Sequence, residues 1–292
     1  MSEPANGRPR RAGREQARPL PKRFYETVTV APVVPSPLVG ERQGGGDRRT
    51  SNVGVPPTPT PNPSPQGGGG QVAFRLLLDG KPVRTPAKRE LALPTRALAD
   101  AVAAEWEAQG ERIDPATMPL TKLANAIIDG VIARQAEVRA EIVKYAGSDL
   151  LCYRAEGPEE LIRRQCESWN PVLDWVRERH GAALAIVDGI MPAQQPAAVS
   201  QAIARALEPH GPFELAAIHV MTTLMGSALL ALAHAHGRLS AEAAWSAAHV
   251  DEDWQISKWG EDAEAKARRD RRWAEMQAAS RLLALVGNKA RP

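Results

Sequence analysis

The chain has 292 residues, 43% of them hydrophobic, which is enough for one large domain or two ordinary ones with a real core. Lys and Arg total 37 against 34 Asp and Glu, a formal charge of only +3, and no zinc-finger spacing, aromatic-basic strand pair or long basic helix accompanies it, so a nucleic-acid partner is excluded. Cys152 and Cys166 are the only cysteines and form no CxxC pair, which argues for a reducing compartment and against a disulfide framework.

Residues 1–22 read as a disordered basic tail. They have no apolar run of signal-peptide type, and Glu3, Glu15 and the many Pro and Gly make a poor transit helix. Phe24 to Val34 alternates in the manner of a strand. From Pro35 to Gly70 the chain turns to Pro, Gly, Ser, Thr and Asn, which cannot bury enough surface to offset the entropy of ordering. A disordered insert between two strands is expected there. Val72 to Leu78 then predicts a strand, Asp79-Gly80 a hairpin turn, and Lys81 to Thr85 the return. Leu91 to Leu93 adds a third strand. Thr95 is placed to cap a helix over Arg96 to Gln109, with Leu98, Val102 and Trp106 on one stripe.

Beyond Pro119 the pattern is helical. Stripes run through Leu120, Leu123, Ile127 and Ile128, through Val138, Ile142 and Tyr145, from Leu161 to Trp169, and, restarting at Asn170-Pro171, through Leu173 and Val176. Ala183 to Val187 suits a short strand or loop, and Val199, Ile203 and Leu207 mark a further helix. Phe213 to Leu232 is the most apolar stretch, but His219 and the Thr222-Thr223 pair oppose a membrane span and favour a helix buried on nearly all sides. Ser240 suits a cap, and a charged amphipathic helix with Trp273, Met276 and Leu282 ends the chain. The fold class that follows is α+β: a small N-terminal two-layer α/β domain over 23–120, interrupted by the insert at 35–70, then an all-helical orthogonal bundle over 121–292.

The chemistry-bearing candidates are few. Residues 249–264 mix two tryptophans with six acids, which suits a binding edge where rings support carboxylates that meet a partner's cations or backbone donors. If helical, Glu252, Ile256, Trp259 and Ala263 share a face, with Gly260 a weak point. A metal-dependent hydrolase built on His234, His236 and Asp251 is the rival reading, although His234 and His236 at a spacing of two do not share a helix face. Cys166 with His180 suggests a nucleophile pair without supporting context, and a buried structural cysteine is favoured. Thr85 to Arg89 is basic but lacks a phosphate loop's glycines, and is expected to be a solvated turn. The PTPTPNPSP run is a weak peptide-ligand signal.

Six blocks taken in order resemble one family. They are Leu78-Asp79-Gly80-Lys81-Pro82-Val83-Arg84-Thr85-Pro86, Ala104-Glu105-Trp106, Met118 to Asn125 with Ile128-Asp129, Asp149 to Arg154, Trp169-Asn170-Pro171, and Asp251 to Gln255 with Trp259-Gly260-Glu261-Asp262. Together they resemble the assembly chaperones of the ATP synthase catalytic sector that receive its free alpha subunit. The likeness spans roughly Arg23 to Leu285 and departs from the family only in the insert. It implies the same two-unit architecture, no enzyme activity, no cofactor and no metal. It also implies a monomer that binds the free alpha subunit, shields the surface later used by beta, and yields it during assembly. The expected compartment is the bacterial cytoplasm, or the mitochondrial matrix for a eukaryotic source. The expected contact residues are Glu252 and Glu261, supported by Trp254 and Trp259, with Asp251 and Asp262 second. Asn125, Asp129 and Trp106 are expected to be structural, the first two fixing the domain junction through buried hydrogen bonds.

Overall fold

The computed structural model describes residues 19–33, 73–189, 191–192 and 194–287. The expected insert, its proline run and most of the expected tail lie outside these residues. The end of that tail does not stay loose. The Ile113 amide donates to the Pro21 carbonyl at 2.9 Å, and the Arg112 guanidinium donates to Leu20 at 2.7 Å.

Strands β1 (Val28–Pro32) and β2 (Phe74–Leu78) pair antiparallel, with Val28 opposite Leu78 and Val30 opposite Leu76. The Asp79-Gly80 turn returns the chain as β3 (Lys81–Pro82) against the C-terminal end of β2. After an excursion, β4 (Ala92–Leu93) pairs with the other end of β2. Pro86 to Arg89 of this excursion is exposed, as expected of a solvated turn, but Thr85 is buried, and the Thr85 hydroxyl and the Ala87 amide are claimed by a helix end, as described below. Helix α1 (Arg96–Glu107) lays Leu98, Ala99 and Val102 on this small sheet. Thr95 caps it, accepting from the Leu98 amide at 3.2 Å.

The remainder is helical apart from a two-residue parallel pair. A 3₁₀ turn at Pro115–Thr117 leads into α2 (Pro119–Asp129), then α3 (Gln135–Ala146). Strand β5 (Tyr153–Arg154) precedes α4 (Glu159–His180) and later pairs with β6 (Val187–Asp188). The rest are α5 (Ala197–Leu207), α6 (Pro212–Met225), α7 (Ala228–Ala235), α8 (Ala241–Ala248), α9 (Val250–Trp259) and α10 (Ala263–Val286). Helix α6 packs against α3, α7 and α10, and its residues Leu215, Ile218 and Met221 are fully enclosed.

Two expectations about breaks are corrected. The restart expected at Asn170-Pro171 does not occur, and α4 runs through Pro171 for 22 residues. A mid-helix proline forfeits one backbone bond. Burial of Trp169, Val172, Leu173 and Val176 holds the helix on both sides, and the Trp169 indole donates to the Ala247 carbonyl at 2.7 Å. The apolar run from Phe213 is two helices rather than one. Gly226 lies between them at φ 68°, a left-handed conformation that glycine adopts freely. No helix among the described residues is long and apolar enough to cross a membrane.

The break at Gly226 is sealed by Asp149, which is fully buried. Its carboxylate accepts the Ser227 hydroxyl at 2.7 Å and the Leu151 and Leu229 amides at 3.1 Å each. Burial nevertheless pushes its pKa up to about 6, against the pull of those bonds.

Candidate partner-binding site

Helix α9 begins with three acids, Asp251, Glu252 and Asp253, which suit the positive end of a helix dipole. It ends at Gly260, where φ is 86° and ψ is 172°. That conformation is closed to residues with a Cβ, so the chain must leave the helix there and turn. Asp262 then caps α10, accepting from the Ala265 amide at 2.8 Å. The result is a V of two helices whose arms are clasped by Asp253 and Arg269, 2.5 Å apart. Burial opposes the Arg269 charge. The bond to Asp253 and the nearby Glu252 and Glu261 outweigh it and hold the pKa above the ordinary range.

Inside the V lies a cleft of about 240 Å³. Glu252, Trp259, Glu261 and Asp262 line it, as do Ile256 and Lys266. Trp259 stands 74% exposed at its rim and meets Trp254 edge to face, with ring centroids 5.6 Å apart. Trp254 packs against the core and supports the outer ring. Arg269 lines the same cleft and feels the charge of Glu252 and Glu261, but neither acid has an ion pair shorter than 3.8 Å. Glu261 lies 3.8 Å from the Lys266 ammonium, and Glu252 lies 3.9 Å from the His249 ring. Burial lowers the His249 pKa, so that ring is a poor counter-charge.

Of the six residues expected at the contact, four share this cleft. Trp254 is the support beneath, and Asp251 faces elsewhere, accepting from the Gln165 side chain of α4 at 2.7 Å. Lys258 ties the same two helices, 2.7 Å from Glu160. The sequence reading missed Arg269. Its signal was present as a basic run one and a half turns into α10, but only the fold shows which of those arginines points back at α9.

The residues expected to be structural behave unequally. Asp129, at the end of α2, accepts the Thr85 hydroxyl at 2.6 Å and the Ala87 amide at 3.0 Å, while Arg89 donates to the Ile128 carbonyl at 2.7 Å. The basic turn is thereby clamped onto α2. The Trp106 ring meets Tyr25 at 5.6 Å, and its carbonyl accepts the Tyr25 hydroxyl at 2.6 Å. The bond expected of Asn125 is not made by its Oδ1, which is buried without a partner.

The enzyme readings do not survive the geometry. His234 is engaged at both ring nitrogens, with the Leu239 carbonyl and the Ser280 hydroxyl each at 2.9 Å. His236 lies among His180, His210 and Trp175, and Asp251 is bonded to Gln165. The three are not brought together, and no group of three potential ligands poised for a metal exists among the described residues. Cys166 and His180 lie on one helix fourteen residues apart, roughly 21 Å.

An exposed ring beside surface acids suits protein binding, and no group of three potential metal ligands stands among the described residues. Residues 62–177 match the family of the ATP12 chaperone protein. The fold is that of a protein from Agrobacterium tumefaciens provisionally assigned as a chaperone: 43% identity, 91% of this chain and 86% of that one covered, TM-score 0.75. It is also that of Atp12 from Paracoccus denitrificans, with 35% identity over 91% of this chain and 98% of that one and a TM-score of 0.74. The mitochondrial protein atp12 of Schizosaccharomyces pombe is 24% identical over 195 residues, 63% of this chain and 67% of that protein. The chain belongs to the ATP12 family of F1-ATPase assembly chaperones. Membership in that family makes it a binding protein and not an enzyme.

Proposed function

We propose that the chain captures the free alpha subunit of F1-ATPase at the α9–α10 cleft, covers the surface that alpha later offers to beta, and releases it to beta. The observation that carries this is Trp259, 74% exposed against the half-buried Trp254 and flanked by Glu252 and Glu261. Exposing a large ring to water is unfavourable, and desolvated aromatic anchors dominate protein interfaces. A partner's Lys or Arg in direct contact gives these acids a closer counter-charge than Lys266 at 3.8 Å or His249 at 3.9 Å, and adds to the longer-range pull of Arg269. Release requires no nucleotide. Beta need only bind the covered surface more tightly than the chaperone does. The chain acts as a monomer in the cytoplasm, or in the mitochondrial matrix in a eukaryotic cell.

Co-expression of alpha alone with and without the chain tests this. Soluble alpha that co-purifies in its presence, and aggregates in its absence, is the expected result. Alpha equally insoluble in both cases would sink the reading.

A further inference from the structure

Phe24 and Trp259 are the two exposed aromatic rings among the described residues, at 71% and 74%. Trp259 belongs to the cleft already described. Phe24 lies in the other unit, and it too stands beside a cleft, of about 340 Å³. Its neighbour Tyr25 points inward, 4% exposed, so the two adjacent rings face opposite ways. Phe24 is held outward by an edge contact with Tyr25, centroids 5.4 Å apart. Leu78, Pro82, Val83 and Trp106 complete the apolar lining, and Lys81 and Arg84 stand among the polar residues of the same cleft.

The cations of this rim outnumber its acids, and none of them forms an ion pair with a carboxylate among the described residues. Arg84 donates to the neutral Lys88 carbonyl at 2.9 Å. Arg23, alongside, donates to the Tyr25 and Gln109 carbonyls at 3.1 and 2.5 Å. The one acid of the cleft, Asp79, already accepts the Glu26 and Thr27 amides and the Thr27 hydroxyl. Those amide bonds, with a smaller pull from the nearby Lys81 charge, hold its pKa below the ordinary value. No carboxylate forms an ion pair with Arg23, Lys81 or Arg84 among the described residues.

We infer that the cleft beside Phe24 is a second contact for the same client, taking an extended segment that places an apolar side chain against Phe24 and a carboxylate against Lys81 and Arg84. The inference rests on the chaperone reading and adds a partner chemistry to it. The two clefts carry opposite charge, acidic at the V of α9 and α10, cationic beside Phe24. A client seated on both is oriented by that polarity, and the second contact forms intramolecularly once the first has formed. The 24 residues of α10, roughly 36 Å, join the acidic cleft to the N-terminal unit, where Thr95 donates to the Leu285 carbonyl at 2.7 Å.

The test uses the full chain immobilised with co-expressed alpha, washed at rising salt. Phe24→Ala, whose side chain is exposed, is expected to melt as the wild type does and to retain at least about tenfold less alpha. Lys81→Glu with Arg84→Glu is expected to lose retention at low salt and to flatten its salt dependence. Photo-crosslinking from position 24 decides the matter should the charge-reversed chain fail to fold, and an adduct with alpha is the expected product. Wild-type retention in Phe24→Ala, or an adduct only with a second copy of this chain, overturns the inference while leaving the first contact intact. Failure of the wild-type chain itself to retain alpha overturns the chaperone reading along with it, a distinguishable outcome.

Discussion

Glu105, on the last turns of α1, receives Thr121 twice: the Thr121 amide at 2.8 Å and its hydroxyl at 2.7 Å, both buried. The Leu120 amide adds a third bond at 2.8 Å. A helix start leaves several backbone donors without partners, and here a side chain from the N-terminal unit satisfies two of them for the first helix of the bundle. The two parts of the molecule are joined through this carboxylate. Glu105→Ala strands three buried donors. A loss of roughly 3 kcal/mol in urea unfolding is expected, with Glu105→Gln intermediate.

Asp149 predicts an unusual pH dependence. Its folded pKa, about 6, lies above the ordinary aspartate value because burial disfavours the charge. A raised folded pKa means the native state holds a proton that the unfolded state gives up between about pH 4 and 6. The contribution of Asp149 is therefore fully present at low pH and is lost as pH rises through 6. Asp79, Glu160 and Glu242, whose pKa values are lowered, behave oppositely, so the wild type is best compared with Asp149→Asn. The stability difference, wild type minus variant, is expected to grow as pH falls from 7 to 4. A difference that shrinks over that range would contradict the assignment.

Glu261→Lys separates fold from function. The side chain is surface-exposed and its contact with Lys266 is long, so unfolding should shift by less than about 0.5 kcal/mol. Retention of alpha should nevertheless collapse, because a cation replaces an acid in a cleft proposed to receive one. Trp259→Ala should behave in the same way. Circular dichroism melts alongside pull-down of alpha measure both halves of this expectation.

Gly260→Ala tests the turn between α9 and α10. An added Cβ meets no atom within 4 Å, so the penalty is purely one of backbone conformation at φ 86°. A destabilisation of about 1–3 kcal/mol is expected by calorimetry, together with weaker capture of alpha as the V opens or shifts. Unchanged stability would show that the turn accepts another conformation.

Much of this molecule was legible in the residue order. Alternation and the Asp79-Gly80 turn predicted the small sheet, and apolar periodicity with the Thr95 and Ser240 caps predicted the helices, because these are local properties of the backbone and its side chains. The ordered blocks carried the family. Continuity was less legible. Pro171 reads as a break and is not one, since burial around Trp169 outweighs one missing backbone bond. The run from Phe213 to Leu232 reads as one helix and is broken at Gly226, since Asp149, 77 positions before that glycine, is there to seal the start of the next helix.

The residue order by itself determined which side chains were available to a partner: two tryptophans among six acids near the end of the chain. Only the tertiary structure decided that Glu252, Trp259, Glu261 and Asp262 share a cleft, that Asp251 is turned away to Gln165, and that Arg269 clasps the V. The physical reason is that a helix face is set by neighbours three and four residues away. Which face meets which is decided by burial and charge pairing between segments that the sequence leaves far apart.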